Sequence, residues 1–131
     1  MLTRRGFAAC ALCAVAGFVA TGVDAQTSGL KRVMLNQVDG PTDGYVTINM
    51  RVEIEPGAMV ARHTHPGVES TYLVEGASEL SVDGQAARQL QPGDAFVVPA
   101  NTPHSARNGA AKTVLAATYV VEKGKPLASP A

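Results

Sequence analysis

The 131-residue chain carries 11 basic and 11 acidic side chains, so its formal net charge at neutral pH is zero. This length suits one domain. A neutral balance gives no electrostatic reason to bind nucleic acid or an anionic membrane surface, so the sequence predicts neither partner.

The N-terminal residues have the layout of a secretory signal peptide. Arg4 and Arg5 precede an apolar stretch over residues 6–23, and Val23-Asp24-Ala25 offers small residues for cleavage. The paired arginines are similar to a twin-arginine signal, with an ordinary basic start as the alternative. An uncleaved membrane anchor is disfavoured, because a spanning helix needs about 20 strongly apolar residues and this stretch is mostly Ala, Gly and Cys. We therefore predict a signal peptide over 1–25, no stable membrane anchor, and a periplasmic or secreted protein.

Both cysteines, Cys10 and Cys13, lie within this apolar stretch. Cleavage would leave a mature chain without cysteine. A disulfide, a zinc–thiolate site and a cysteine nucleophile are then excluded.

Residues 26–131 are predicted to form a single all-β domain. A short strand of mixed pattern over 30–38 is followed by turn residues over 39–44. The clearest strand spans 46–54, where apolar and polar residues alternate strictly. This period of two places all its apolar side chains on one face.

Further short strands are separated by turns that contain proline or glycine. They are predicted over residues 58–65, 70–75, 77–82, 86–90, 95–98, 104–108 and 113–121. Tyr72 and Phe96 are predicted to pack in the core, with a place at a pocket mouth as the alternative. Lys123 to Ala131 contains two prolines and is predicted to be a loose tail. Short strands at this spacing, without helical periodicity, predict a sandwich or small barrel.

The three histidines of the chain and one glutamate have the spacing of a metal site built on adjacent strands. His63 and His65 are two residues apart, so in a strand both imidazoles point into the same space and can reach one ion. Glu69 follows the Pro66-Gly67 turn, and His104 must come from another strand. Arg62 points the opposite way and is predicted to be a surface charge. His-x-His alone is common on exposed strands, so the prediction depends on the whole spacing.

That spacing resembles the two sequence motifs of the cupin family. The first motif matches at every spaced position: Gly57-x5-His63-x-His65-x3-Glu69-x6-Gly76. The second matches with Asn101 in place of a glycine: Gly93-x5-Pro99-x-Asn101-x2-His104-x3-Asn108. Asn tolerates the left-handed backbone conformation that a turn glycine adopts, so the substitution leaves the ligands in place.

The resemblance implies a small antiparallel jelly-roll-like barrel that holds one divalent transition metal through His63, His65, Glu69 and His104, and that forms homodimers. Cupins with this ligand set hold manganese, iron, nickel, copper or zinc. Mixed imidazole and carboxylate ligation suits most of these ions. Four protein ligands leave coordination positions open for water, dioxygen or a substrate.

Two functions follow as hypotheses. The first is a metal-dependent dioxygenase acting on a small oxygenated compound, with Glu69 also serving as the catalytic base. The second is a non-catalytic module that stores metal or binds a small, sugar-type ligand, because no long insertion is available for substrate-specific loops. A phosphosugar isomerase is a third option, but no cluster of Arg or Lys accompanies the histidines.

Overall fold

The structure, a computed structural model, describes residues 28–131. The predicted signal peptide and both cysteines lie outside this range. Within it, no helix is long and apolar enough to cross a membrane. Residues 28–131 form ten strands: β1 Leu30–Asp39, β2 Tyr45–Ile54, β3 Met59–Thr64, β4 Gly67–Glu75, β5 Ser78–Val82, β6 Arg88–Leu90, β7 Ala95–Val98, β8 His104–Asn108, β9 Thr113–Glu122 and β10 Ser129–Pro130.

The strands form two five-stranded antiparallel sheets. The first has the order β1-β2-β9-β4-β7 and the second the order β10-β3-β8-β5-β6. The chain crosses between the sheets seven times, including from β3 to β4 and from β7 to β8. The burial of His63, Glu69 and His104 places residues of both motifs between the two sheets. The predicted all-β, jelly-roll-like architecture is confirmed.

The alternating pattern of β2 becomes one wall of the core. β2 pairs with β9 along its whole length, from Tyr45 opposite Glu122 to Ile54 opposite Thr113. The inward residues of both strands pack with Val60 of the other sheet, and the buried members of this cluster are Ile48, Met50, Val52, Ile54, Val60, Ala117, Tyr119 and Val121. A second buried cluster comprises Leu73, Leu80, Val82, Leu90, Phe96 and Val98.

Two sequence-based predictions are corrected by the fold. The C-terminal residues are not a loose tail, because β10 pairs with β3 and the neighbouring Ala128 is 1% exposed. Tyr72 belongs neither to the core nor to a pocket mouth. It is 49% exposed on the outer face of β4, whereas Phe96 is buried as predicted.

Candidate metal centre

The site lies between the two sheets, where the second sheet supplies the imidazoles and the first supplies the carboxylate. His63 of β3 and His104 of β8 are direct cross-strand partners, and His65 follows the end of β3. The three ring centroids lie 4.1–5.0 Å apart. Glu69 on β4 reaches them from the opposite sheet and is paired in register with Tyr119 and Val98. The fold thus brings together all four residues that the motif spacing predicted.

Two turn residues hold this geometry. A Cβ atom at Gly67 would lie 2.0 Å from the carbonyl oxygen of Val120, so a larger residue could not start β4 so close to β9. Asn101 adopts a φ of 56°, as predicted for the residue that replaces the motif glycine, and its N–H donates to the His65 carbonyl at 2.9 Å. These turns fix where β4 and β8 begin, and therefore which side chains face inward.

The backbone determines which nitrogen of each imidazole is protonated. Each Nδ1 lies within hydrogen-bond distance of a backbone carbonyl: His63 to Ala61 at 2.7 Å, His65 to Leu127 at 2.6 Å and His104 to Thr102 at 2.9 Å. A carbonyl oxygen only accepts hydrogen bonds, so each Nδ1 carries the proton. A neutral ring then presents Nε2 as a bare lone pair, which is the form that binds a metal ion.

The Nε2 atoms of two of these rings lie close to one oxygen atom of Glu69. Its Oε2 lies 3.0 Å from His65 Nε2 and 3.2 Å from His104 Nε2, and all the residues involved are buried. His65 Nε2 is shielded from solvent and, despite this proximity, makes no hydrogen bond to any described residue. Electron pairs that converge in this way repel one another unless a proton, as in the His104–Glu69 hydrogen bond, or a metal ion lies between them. The three histidines, whose ligand atoms lie within 4.8 Å of one another, are therefore compatible with a metal site.

The ionisation of the site favours the same chemistry. Burial lowers the pKa of His63 from 6.5 to about 4, and the neighbouring His104 contributes in the same direction. Burial alone would raise the pKa of Glu69, but the hydrogen bond with His104, which needs a proton between Oε2 and Nε2, and the contact with His65 outweigh burial and lower the pKa. Positive charge between Oε2 and the imidazole nitrogens lowers the pKa of the carboxyl, and a metal ion bound there would also lower it. Neutral imidazole and ionised carboxylate are the forms that act as ligands.

A narrow pocket with a cavity volume of about 40 Å³ adjoins the cluster. This volume holds only a few water molecules and is smaller than typical small-molecule sites, so a larger ligand would require side chains of the lining to move. Its polar lining consists of His63, Glu69, His104, Ser105 and Arg32. The remaining lining is apolar apart from one phenol: Leu30, Val52, Ile54, Val60, Leu80, Phe96, Ala106, Leu115 and Tyr119.

Four contributors to the site were missed at the sequence level. Thr71 donates from Oγ1 to Glu69 Oε1 at 2.7 Å. It lies two residues after Glu69 on β4, so strand alternation places both side chains on the same face. The ring of Tyr119 packs edge-on against His65 at 4.9 Å. Leu127 supplies a carbonyl to His65 from a segment predicted to be loose. Arg32 enters the pocket from β1, whose mixed pattern did not show which residues face inward.

Asn108, the last residue of the second motif, has a structural role away from the ligands. Its Nδ2 donates to the carbonyl oxygens of Ile54, Glu55 and Ala111 at 2.9–3.0 Å, and its Oδ1 accepts from the Thr113 hydroxyl. One buried amide therefore joins the ends of β2 and β8 to the start of β9, which closes the barrel around the site.

Fold and site together define a small two-sheet β-barrel protein with an interior cluster of three histidines beside a pocket. The sequence model of the cupin domain family matches residues 50–122, which is more than half of the chain. The chain therefore belongs to the cupin family, as its motifs predicted. A comparison with curated protein sequences gave no match.

Solved structures with the same fold include proteins from several bacteria. KdgF from Halomonas sp. is 27% identical, with a TM-score of 0.59 over 73% of this chain and 82% of that chain. An RmlC-like cupin from Shewanella frigidimarina is also 27% identical, with a TM-score of 0.61 over 77% and 84%. The polyketide cyclase RemF from Streptomyces resistomycificus is 19% identical, with a TM-score of 0.63 over 79% and 72%, and shares the fold alone.

Proposed function

We propose that this cupin is an exported metalloprotein that binds one divalent transition metal through His63, His65, Glu69 and His104, and that it catalyses a dioxygenase-type reaction on a small oxygenated compound. The observation that supports it is the set of three Nδ1–carbonyl hydrogen bonds in one buried histidine cluster, in which two Nε2 atoms lie 3.0 and 3.2 Å from the Glu69 carboxylate. Manganese, iron, nickel, copper and zinc all suit this donor set.

A divalent ion held by these residues would supply Lewis acidity and a template for substrate and dioxygen. The chain itself contributes a mostly apolar pocket lining beside the donor set. Thr71 fixes the Glu69 carboxylate through Oε1, which leaves Oε2 towards the imidazoles.

Glu69 is also the proposed base that removes a proton from the substrate. Its lowered pKa makes it a weak proton acceptor at neutral pH. The base role therefore requires a substrate proton that becomes more acidic on binding. A Glu69→Gln variant that retains turnover would exclude Glu69 as the base.

Purification from the native compartment, followed by elemental analysis and oxygen-uptake measurements, tests the proposal. We expect close to one equivalent of a single transition metal and oxygen uptake with a small enolic or catecholic substrate. His63→Ala should abolish both. Protein that carries no transition metal in its own compartment would refute the proposal.

One observation favours a second function, a non-catalytic module that stores metal or binds a small sugar-type ligand. No connection between the described strands exceeds six residues, so the fold offers little loop sequence for a specific substrate pocket. Stoichiometric metal without oxygen uptake on any enolic, catecholic or sugar compound would favour this alternative.

Export and self-association complete the proposal. Cleavage after Ala25 predicts a mature N-terminus at Gln26, which mass spectrometry of the secreted or periplasmic protein can identify. A homodimer would cover apolar residues on the outer face of the first sheet, where Tyr72, Val74 and Val97 are exposed. Sedimentation of the purified protein measures this directly.

A further inference from the structure

Arg32 occupies an unusual position for an arginine on an edge strand. It pairs with Val52, a buried core residue of β2, and therefore lies on the inward face of the first sheet. Its side chain lines the same pocket as His63 and His104, and its Nε is shielded from solvent. Its neighbour Lys31 pairs with Glu53 on the opposite face and is exposed.

Arg32 is the one permanently cationic side chain among the described residues that line the pocket. Most of the other lining residues are apolar, so an anion inside meets a low dielectric and is attracted to the guanidinium more strongly than in water. The planar guanidinium matches a carboxylate with two parallel hydrogen bonds. Arg32 already takes part in a noncovalent interaction, which a bound anion would join or replace.

The sheet register separates Arg32 from the histidine cluster. Arg32 belongs to the row of Val52, Leu115 and Leu73, whereas Glu69 lies three strands away and four residues along β4 from Leu73. In a flat sheet these offsets correspond to roughly 20 Å between the Cα atoms, a distance that the curvature of the barrel shortens, and both side chains line the same pocket. The pocket therefore has a cationic end and an imidazole–carboxylate end, with apolar walls between.

We infer that Arg32 is a specificity-determining residue that binds the carboxylate of a small-molecule ligand whose oxygen-bearing opposite end reaches the histidine cluster. A single guanidinium balances a single negative charge, which favours a monocarboxylate over a phosphate dianion. This inference gives a substrate class to the proposed function and depends on it for the metal-facing end of the ligand.

Two probes that differ only at the carboxylate end test the inference. 3-(3,4-Dihydroxyphenyl)propanoate carries a catechol and a carboxylate, and 4-ethylcatechol lacks the carboxylate. Binding to the full mature chain is measured by anaerobic titration calorimetry, with the protein metal-free or loaded with Zn²⁺, which is redox-inert. We expect the propanoate to bind about tenfold more tightly than the ethyl compound, as is typical of a charge-assisted hydrogen bond.

Three variants locate the source of this preference. Arg32→Met removes the charge with little change in length and should reduce the affinity ratio of the two probes to about one. Arg32→Lys retains charge without the planar donor pair and should give an intermediate ratio. Arg51→Met removes a half-exposed arginine from the outer face of β2 and should leave the ratio unchanged.

The two metal states separate the inference from the proposed function. If the propanoate binds more tightly than the ethyl compound but Zn²⁺ raises the affinity of neither probe, the result supports the role of Arg32. The same result refutes contact between the other end of the ligand and the metal. Tighter binding of both probes with Zn²⁺ but equal affinities for them overturns the Arg32 inference and leaves the proposed function intact. A preference that survives in Arg32→Met, or no measurable binding of either probe, also overturns it. If Arg32→Met fails to fold, the wild type and Arg32→Lys still give the decisive ratios.

Discussion

Acidification of the metal-free protein should lower its stability through one identified group, His63. Burial lowers the native pKa of this imidazole from 6.5 to about 4. The unfolded chain therefore takes up a proton at His63 as the pH falls through 6.5, whereas the native chain does so only near pH 4. The stability that this neutral imidazole contributes is fully present above pH 6.5 and is lost between pH 6.5 and about 4. The loss is about 1.4 kcal/mol for each pH unit and about 3 kcal/mol in total.

Guanidinium unfolding of the chelator-treated protein at several pH values between 7 and 4 measures this loss. The chain has no tryptophan, so far-UV circular dichroism is the appropriate signal. The matched variant is His63→Gln, which keeps a polar side chain at the site but cannot titrate. Between pH 7 and 4 the unfolding free energy of the variant should fall by about 3 kcal/mol less than that of the wild type.

The comparison between wild type and variant is needed because Glu69 acts in the same direction at lower pH. Its carboxyl has a lowered pKa, so it stabilises the fold above its ordinary value of 4.5 and this contribution is lost as the pH falls further. Subtraction of the two pH profiles removes the part common to both proteins. Identical profiles for wild type and His63→Gln would refute the assignment of a buried neutral imidazole to this position.

Three further predictions concern the metal itself. His104→Ala should lose most of the bound metal at neutral pH. The control Arg62→Ala, which removes only an exposed salt bridge to a surface carboxylate, should retain it. Equal metal content of the two variants by elemental analysis would contradict the ligand assignment. The ion should dissociate below about pH 6, because a protonated imidazole cannot ligate, and full occupancy at pH 4 would count against imidazole ligation. Thr71→Val should weaken metal affinity about 10–100-fold by freeing the Glu69 carboxylate, whereas Thr118→Val, which breaks a hydroxyl–amide bond on the outer sheet face, should not; competition with a chromogenic chelator distinguishes them.

The parts of the fold that could be predicted are those with a local signal. β2 follows from the strict alternation over residues 46–54, and its inward face is buried as that alternation requires. His63 and His65 share a face because they are two residues apart. The meeting of this pair with His104 is not local, and it was predicted from the motif spacing alone.

The inward orientation of Arg32 could not be predicted from the sequence. Lys31 and Arg32 are adjacent basic residues on a strand of mixed pattern, so one faces inward and the other outward, and the choice depends on register with β2. A bulge between Met34 and Asn36 also interrupts the alternation of β1, which hides the inward face from a periodicity argument. Only the pairing of Arg32 with Val52 places the guanidinium in the pocket.

The position of Tyr72 follows from the alternation of β4 rather than from residue type. It lies three residues after Glu69 on a continuous strand, so it must face the side opposite to the carboxylate. A residue on that side belongs to the outer surface of the sheet, where the structure places it. For an aromatic residue on a regular strand, the parity of its position is therefore stronger evidence than its residue type.

The tautomers of the three histidines depend on the whole domain being folded. Their carbonyl acceptors come from separate parts of the chain: Ala61 in β3, Thr102 in the corner before β8 and Leu127 ahead of β10. No single segment can orient all three rings, so the ligand set exists only when both sheets and the C-terminal strand are in place. Metal binding to this set would add its free energy to the native state alone, which couples occupancy of the site to closure of the barrel.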